Sequence, residues 1–368
     1  MGRRARAGTS LQALVAMAVP LLQAAERQCP RTGPGAKPVI PDWLIGVLIM
    51  VAILKRKKSK SAQFRFLTDA AHRPQLAEAL GRDDFPSRSS FFRRYRRAHQ
   101  LFRVAIRLQG EQAIKEGVTD AREVAVDKSL LAAHGPAWHT QDRKAGRVPA
   151  GVDRQSTWGY SEHHGWVQGY SYEVVVSSSP RTTVFPLLAS VDTASASETR
   201  SFVEKIDHLP ACTRSVSADS GYDANALGER VEFDEHGRRT GRRYLCPENP
   251  RHNNRPKTKP GGADASRARS RQLRHQRKVF FQSPRSRRIY ARRKKTVEPF
   301  NQWFKSLFEL ETRVWHRGLD NNRTQLLAAL FAYQLLVRYN HKLGRENGRV
   351  RWILDALWIS GHPQGDSL

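Results

Sequence analysis

Two short runs decide the fold: Arg122-Glu-Val-Ala-Val-Asp127 and Ser215-Val-Ser-Ala-Asp219. Each is rich in strand-forming residues, each ends on an acid, and Ser220-Gly221 turns the chain after the second. Between them, 169–178 carries Tyr170, Tyr172 and Val174-Val175-Val176, and 182–191 is again apolar and β-branched. Together these read as a hairpin continuing from the first strand. Residues 196–208 then place Phe202, Ile206 and Leu209 at helical spacing, which predicts a crossover helix. Strands followed by helices, with mixed pairing, give an α/β layered domain.

Working outward, residues 251–295 form the most basic block, with 17 Lys or Arg against one acid, Asp264. A block of this kind standing alone is usually a solvated segment, but its place between two candidate catalytic positions suits a DNA grip. After it a helix is expected from about Thr296, with Val297, Phe300, Phe304, Leu307 and Phe308 on one face. Pro299 would then lie in the first turn, where its missing N–H costs nothing. A strongly apolar helix over 321–343 closes the domain. On the other side, 9–110 reads as mainly helical, interrupted by the Pro- and Gly-rich stretch 30–41. Residues 43–54 are apolar all round, which predicts a helix buried on every side. Ser87 is a plausible N-cap for a helix with Phe91, Phe92, Tyr95 and His99 at helical spacing. Arg93, Arg94, Arg96 and Arg97 interleave with these aromatics, a shape suited to phosphate contact and groove entry; a solvated basic helix packed on its neighbours has the same pattern.

Composition narrows the partner. The chain of 368 residues carries 63 Lys and Arg against 34 Asp and Glu, a formal charge of +29. Such a balance points to a polyanion, nucleic acid first and anionic membrane second. Cys29, Cys212 and Cys246 form no CxxC pair, which argues against a structural zinc site or a disulfide framework and fits a cytoplasmic setting. The run 43–54 is shorter than the roughly twenty residues a membrane span needs. The start of the chain, 1–22, imitates a signal peptide but is broken by Pro20. No P-loop, GxSxG elbow or GxGxxG follows a strand, and His163-His164 makes no HxxxH pair.

Phosphodiester chemistry needs a few carboxylates converging on divalent cations, because Mg²⁺ prefers hard oxygen ligands and two such ions can serve both the attacking and the leaving oxygen. Asp127 and Asp219, each at the end of a strand run, and Glu298, on a flanking helix, have the required contexts. Helical geometry also sets Gln302 and Lys305 within about 40° of Glu298, away from the apolar face. Taken singly, each acid also reads as a turn residue, cap or solvated charge, and Asp153, Asp192, Asp207 and Asp223 compete for the same role. The patch Trp158-Gly-Tyr-Ser with Gly165-Trp166 reads as strand and turn packing or as a stacking surface for bases.

Taken in order, Val126-Asp127-Lys-Ser-Leu, Ser217-Ala-Asp219-Ser-Gly-Tyr222-Asp, the stretch from Tyr290 through Lys305 and Asn321-Asn-Arg-Thr-Gln-Leu-Leu-Ala-Ala-Leu resemble bacterial insertion-sequence transposases of the DDE class, in the branch marked by a Tyr-Arg-Glu-Lys signature. The likeness covers roughly 85–343. It implies an RNase H-like mixed sheet flanked by helices, with a mainly helical N-terminal DNA-binding domain over 1–118. The catalytic domain would span 119–345, with a basic, strand-rich insertion around 225–295, and 346–368 would be a tail. It implies Asp127, Asp219 and Glu298 as ligands of two Mg²⁺ or Mn²⁺ ions, and Tyr290, Arg293 and Lys305 as contacts to transposon-end DNA. The implied activity is endonucleolytic cleavage at the transposon ends and strand transfer into target DNA, by a homodimer on double-stranded DNA and without a membrane. The alternative is a DNA-binding protein derived from a transposase that has lost its chemistry. One spacing departs from the signature: four residues separate Arg293 from Glu298 where three are usual. Lys294 has the usual spacing, but Ala291 rather than Tyr stands three before it.

Overall fold

A computed structural model describes residues 11–29, 39–162, 164–249, 265–345 and 348–359. Its centre is one mixed sheet of β1 (Glu123–Ala132), β2 (Thr157–Ser161), β3 (Gly165–Ser177), β4 (Pro186–Thr193), β5 (Ser215–Ser217) and β6 (Arg243–Leu245). β3 pairs antiparallel with β1 along one edge, and it pairs antiparallel with β4 and, over its first residues, β2. β1 runs parallel to β5, and β5 parallel to β6. The resulting order, β4-β3-β1-β5-β6, joins an antiparallel meander to a parallel pair through β1. This is the RNase H-like mixed sheet that the sequence led us to expect.

Helices cover the sheet. Before it stand α1 (Leu11–Gln28), α2 (Asp42–Leu54), α3 (Lys60–Thr68), α4 (Arg73–Leu80), α5 (Arg88–Tyr95) and α6 (Ala98–Lys115). Between strands come the short α7 (Thr140–Lys144), then α8 (Glu198–Ile206) and α9 (Asn225–Glu232). After β6 follow α10 (Ala265–Gln282), α11 (Pro284–Ala291), α12 (Arg293–Leu307), α13 (Leu319–Lys342) and α14 (Arg351–Ile359).

The apolar run in α2 is buried from Leu44 to Leu54 because α1, α6 and α13 surround it. A methyl group on Gly46 would come within 2.8 Å of Leu101 on α6, so the glycine is what lets these helices approach. Among the described residues no helix is long and apolar enough to cross a membrane. Helix α13 buries both apolar and polar side chains, and the polar ones act as ties. Gln334 Nε2 donates to the carbonyls of Ile106 in α6 and Pro186 in β4, at 2.9 and 2.7 Å. Thr324 Oγ1 donates to the Tyr95 carbonyl at the end of α5. The N-terminal helices therefore share one continuous core with the sheet.

Four local expectations are corrected. β1 runs five residues beyond Asp127, so this acid sits mid-strand rather than at a strand end; continued pairing with β3 carries the strand on through Lys128–Ala132. Helix α12 starts at Arg293, not near Thr296, and Pro299 lies inside it. Arg292 anchors that earlier start, its Nε donating to Glu123 Oε2 at 2.8 Å, and the straight-chain basic residues before Pro299 are good helix formers. The insertion between Asp219 and Glu298 is helical rather than strand-rich among its described residues, in α9, α10 and α11. Its strand, β6, belongs to the main sheet. Part of the 346–368 tail, finally, is the helix α14, whose Ile353, Leu354 and Leu357 join the core. Residues 250–264, which include Asp264 and the start of the basic block, lie outside the described residues.

Candidate active site

Parallel pairing of Ala125 with Ser217 sets the end of β5 beside the middle of β1. Asp219 follows two residues later as the cap of a 3₁₀ turn, Ser220–Tyr222, and its Oδ1 accepts from the Gly221 N–H at 2.9 Å. Two contacts, one from the residue just after β6 and one from within it, pin this turn: the Cys246 thiol on the Asp219 carbonyl at 2.9 Å and the Tyr244 hydroxyl on the Tyr222 carbonyl at 2.9 Å. Helix α12 crosses the same end of the sheet. Its Val297, Phe300, Phe304 and Leu307 are buried, and Phe304 meets the Tyr172 ring edge-on at 5.4 Å. Glu298 is left facing the carboxylates.

The three acids converge on one cation. The Arg293 guanidinium donates to Asp127 Oδ1 at 2.7 Å and Glu298 Oε1 at 3.1 Å, and reaches Asp219 Oδ2 at 3.4 Å. Asn301 adds a hydrogen bond to Asp127 Oδ2 at 2.8 Å, while its own buried Oδ1 has no hydrogen-bond partner among the described residues. Exposure grades across the set: the side chain of Asp127 is 14% exposed, that of Asp219 39% and that of Glu298 48%. Burial raises the Asp127 carboxyl to about 6, against the pull of Arg293 and with help from the charge of Asp219.

The site suits a hard cation in three respects: oxygen donors, a cationic group already standing among them, and an unpartnered buried oxygen at Asn301. It is not closed around an ion. Among the described residues no three acids, histidines or cysteines stand close enough to clasp one, because the guanidinium spaces the carboxylates apart. A metal ion would therefore have to displace Arg293.

Arg293 is buried among the acids, whereas Lys294 is exposed. Lys305 donates to the Leu130 carbonyl at 3.0 Å, and burial lowers its pKa. Tyr290 is half-buried against Phe281, at the mouth of the site, where Arg293 is among the charges that act on it. Of the four arginines around α5, the structure separates one from the others. Arg94 turns inward, bonding Asp42 Oδ1 through Nε at 2.8 Å and the Ile40 carbonyl at 2.6 Å; Arg93, Arg96 and Arg97 are exposed. Phe91 and Tyr95 lie in the core. The competing acids have other work. Asp153 accepts from Tyr170 Oη at 2.6 Å and the Gly318 N–H at 2.9 Å, Asp207 pairs with Arg230 and Asp192 with Arg323. Asp223 binds Arg274 of α10 at 2.7 Å and ties the insertion to the Asp219 turn. Tyr160 and Trp166 pair on the exposed tip of the β2–β3 hairpin, ring centroids 5.6 Å apart, while Trp158 is half-buried.

Two residues at the site went unread in the sequence: Asn301, which lies three residues after Glu298, and Glu198. Glu198 is the first residue of α8, just after the capping Ser197. Burial, then the charge of Asp219, raises its carboxyl to about 7, with Lys128 opposing.

Two aspartates and a glutamate are thus gathered around one arginine at one end of the mixed sheet. The sequence model of the transposase DDE domain matches residues 119–335, more than half of the chain, and the chain belongs to that family. Among solved structures it is distantly similar to a piggyBac transposase, determined by cryo-EM as a synaptic complex with hairpin DNA. The two share 11% identity with a TM-score of 0.42, over 95% of this chain and 77% of that one. Among curated proteins none matches the sequence.

Proposed function

We propose that the protein cuts DNA at the ends of a transposon and joins the freed 3′ ends to target DNA. The observation that carries this reading is the convergence of Asp127, Asp219 and Glu298, from three separate elements, on a single cationic group. Two Mg²⁺ or Mn²⁺ ions held by these acids would activate the attacking oxygen and stabilise the leaving one. The chain's own residues do the rest. Asn301 and the strand pairing around β1 orient Asp127, and the Cys246 and Tyr244 contacts hold the turn that presents Asp219. Arg293, once freed from the acids, can reach a phosphate beside them with Tyr290 and Lys305. In the first step water attacks the scissile phosphorus and the 3′ oxygen leaves with a proton. In the second, that 3′-hydroxyl attacks a target phosphate, the new ester bond replaces the bond from that phosphorus to the target's own 3′ oxygen, and this oxygen leaves with the proton, so no covalent protein intermediate forms.

Double-stranded DNA is the partner that the charge calls for. Arg93, Arg96 and Arg97 at α5, and Arg285, Arg287 and Arg288 of α11, are exposed and available for phosphate contacts. Pairing two DNA ends makes a homodimer the expected working form. The test is a cleavage and strand-transfer assay with Mg²⁺ or Mn²⁺, using the DNA that flanks the coding locus. Cutting and joining that vanish in Asp219→Ala while DNA binding persists support the reading. Wild-type protein that binds these ends but never cuts them is instead a DNA-binding protein without chemistry.

A further inference from the structure

The three acids described above do not exhaust the carboxylates at this end of the sheet. Glu198 enters from α8, whose Phe202, one turn further on, is buried against Tyr222 with ring centroids 6.0 Å apart. That packing turns the Glu198 side chain toward the Asp219 turn. There Gly221 makes room for it: a methyl group on this glycine would stand 2.2 Å from Glu198 Oε2 and 3.1 Å from Asp219 Oδ1. The Glu198 and Asp219 oxygens thus flank one small gap that any larger residue at 221 would fill. Among the described residues no hydrogen bond to the Glu198 carboxylate is formed, and Arg293, which contacts the other three acids, does not reach it. Lys128, the cation on β1 next to Asp127, directs its Nζ instead to the carbonyls of Ala194 and Ala196, at 3.1 and 2.5 Å.

A carboxylate set beside another carboxylate, in a gap a glycine keeps open and with no hydrogen bond of its own, is costly unless a cation comes between them. We propose that Glu198 is a fourth carboxylate of the cation site, sharing with Asp219 a divalent ion on the side away from Glu298. This rests on the reading of Asp127, Asp219 and Glu298 as metal ligands. Charge supports it: two divalent ions bring four positive charges, and Glu198 raises the carboxylate complement from three to four. Glu198 and Glu298, on different helices, would then straddle the two aspartates.

The experiment measures Mn²⁺ binding to the full chain, by loss of the free-ion electron paramagnetic resonance signal, in wild type, Glu198→Gln, Gly221→Ala and Asp219→Ala. Gln keeps the shape and removes a like charge, so Glu198→Gln is expected to melt no lower than wild type without metal. Its Mn²⁺ affinity should fall at least about tenfold, and Glu198→Asp should recover part of the loss. Gly221→Ala, which displaces the carboxylate without touching its charge, should show the same fall. Wild-type affinity in a folded Glu198→Gln protein, with loss only in Asp219→Ala, would overturn the role of Glu198 and leave the three-acid site standing. Wild-type protein that takes up no Mn²⁺, or Asp219→Ala that binds as well as wild type, would instead bring down the parent reading and this one with it.

Discussion

Replacing Arg293 with Ala removes the group that now stands where cations would bind. Its guanidinium makes two good hydrogen bonds to ionised acids, at 2.7 and 3.1 Å, and a longer contact at 3.4 Å. Hydrogen bonds to charged groups are worth about 1.5–3 kcal/mol each, and part of that is recovered when the guanidinium finds water or phosphate. Displacing Arg293 should therefore cost an incoming ion about 1.5–3 kcal/mol, or roughly ten- to a hundredfold in affinity. Without the side chain, Mn²⁺ should bind tighter by that factor in DNA-free protein. The variant should also lose about 3 kcal/mol of metal-free stability, because Asp127 is left buried without its counter-ion. Saturating Mn²⁺ should restore most of this through binding linkage. Calorimetric titration at pH 8, with denaturant unfolding in the presence and absence of Mn²⁺, reads both effects. A folded Arg293→Ala protein whose Mn²⁺ affinity equals or falls below that of wild type would refute the reasoning.

Further outcomes follow from the same geometry. Cation binding needs ionised acids, so Mn²⁺ affinity should rise as pH climbs through about 6, set by Asp127, and about 7, set by Glu198; a flat profile between pH 5.5 and 8 would contradict these environments. Folded Asp127 keeps its proton up to about pH 6, whereas an unfolded aspartate loses it near 4, so this group opposes folding increasingly as pH rises from 4 to 6. Asp127→Asn should therefore gain stability relative to wild type across that window in metal-free thermal melts. Behind the site, Lys205 binds Glu173 Oε1 at 2.6 Å and Tyr222 donates to Glu173 Oε2 at 2.9 Å, all buried. Lys205→Met should cost about 3–5 kcal/mol in denaturant unfolding, and adding Glu173→Gln should recover part of it; a loss below about 1 kcal/mol would mean the pair is not buried in solution.

The fold was legible where pattern and topology coincide. The runs at 122–127 and 215–219 read as strands, with a crossover helix before the second, and the structure pairs them in parallel over three residues. Gly169–Ser178 became the antiparallel partner of β1, and the apolar run 182–191 that of β3. The limits of α12 were not legible, because a proline reads as a helix start, while the Arg292–Glu123 ion pair that extends the helix spans 169 residues. The site was half legible. Strand-end acids and the Glu298–Lys305 edge stand out in one dimension, but Asn301 and Glu198 become part of the site only when α12 and α8 meet at the Asp219 turn. Likewise the sequence shows four interchangeable arginines around α5, and only the packing of α5 beside Asp42 removes Arg94 from the surface.

The most direct test of the central claim replaces Asp127 and Asp219 singly with Cys and measures cleavage of flanking-end DNA in Mg²⁺ and in Mn²⁺. A thiolate is a poor ligand for hard Mg²⁺ and a tolerable one for softer ions. If these acids hold the catalytic cations, each variant should be inactive with Mg²⁺ and should recover cleavage with Mn²⁺. Cleavage in Mg²⁺ that survives both substitutions would contradict the account, since the reacting phosphate would then be served by other residues.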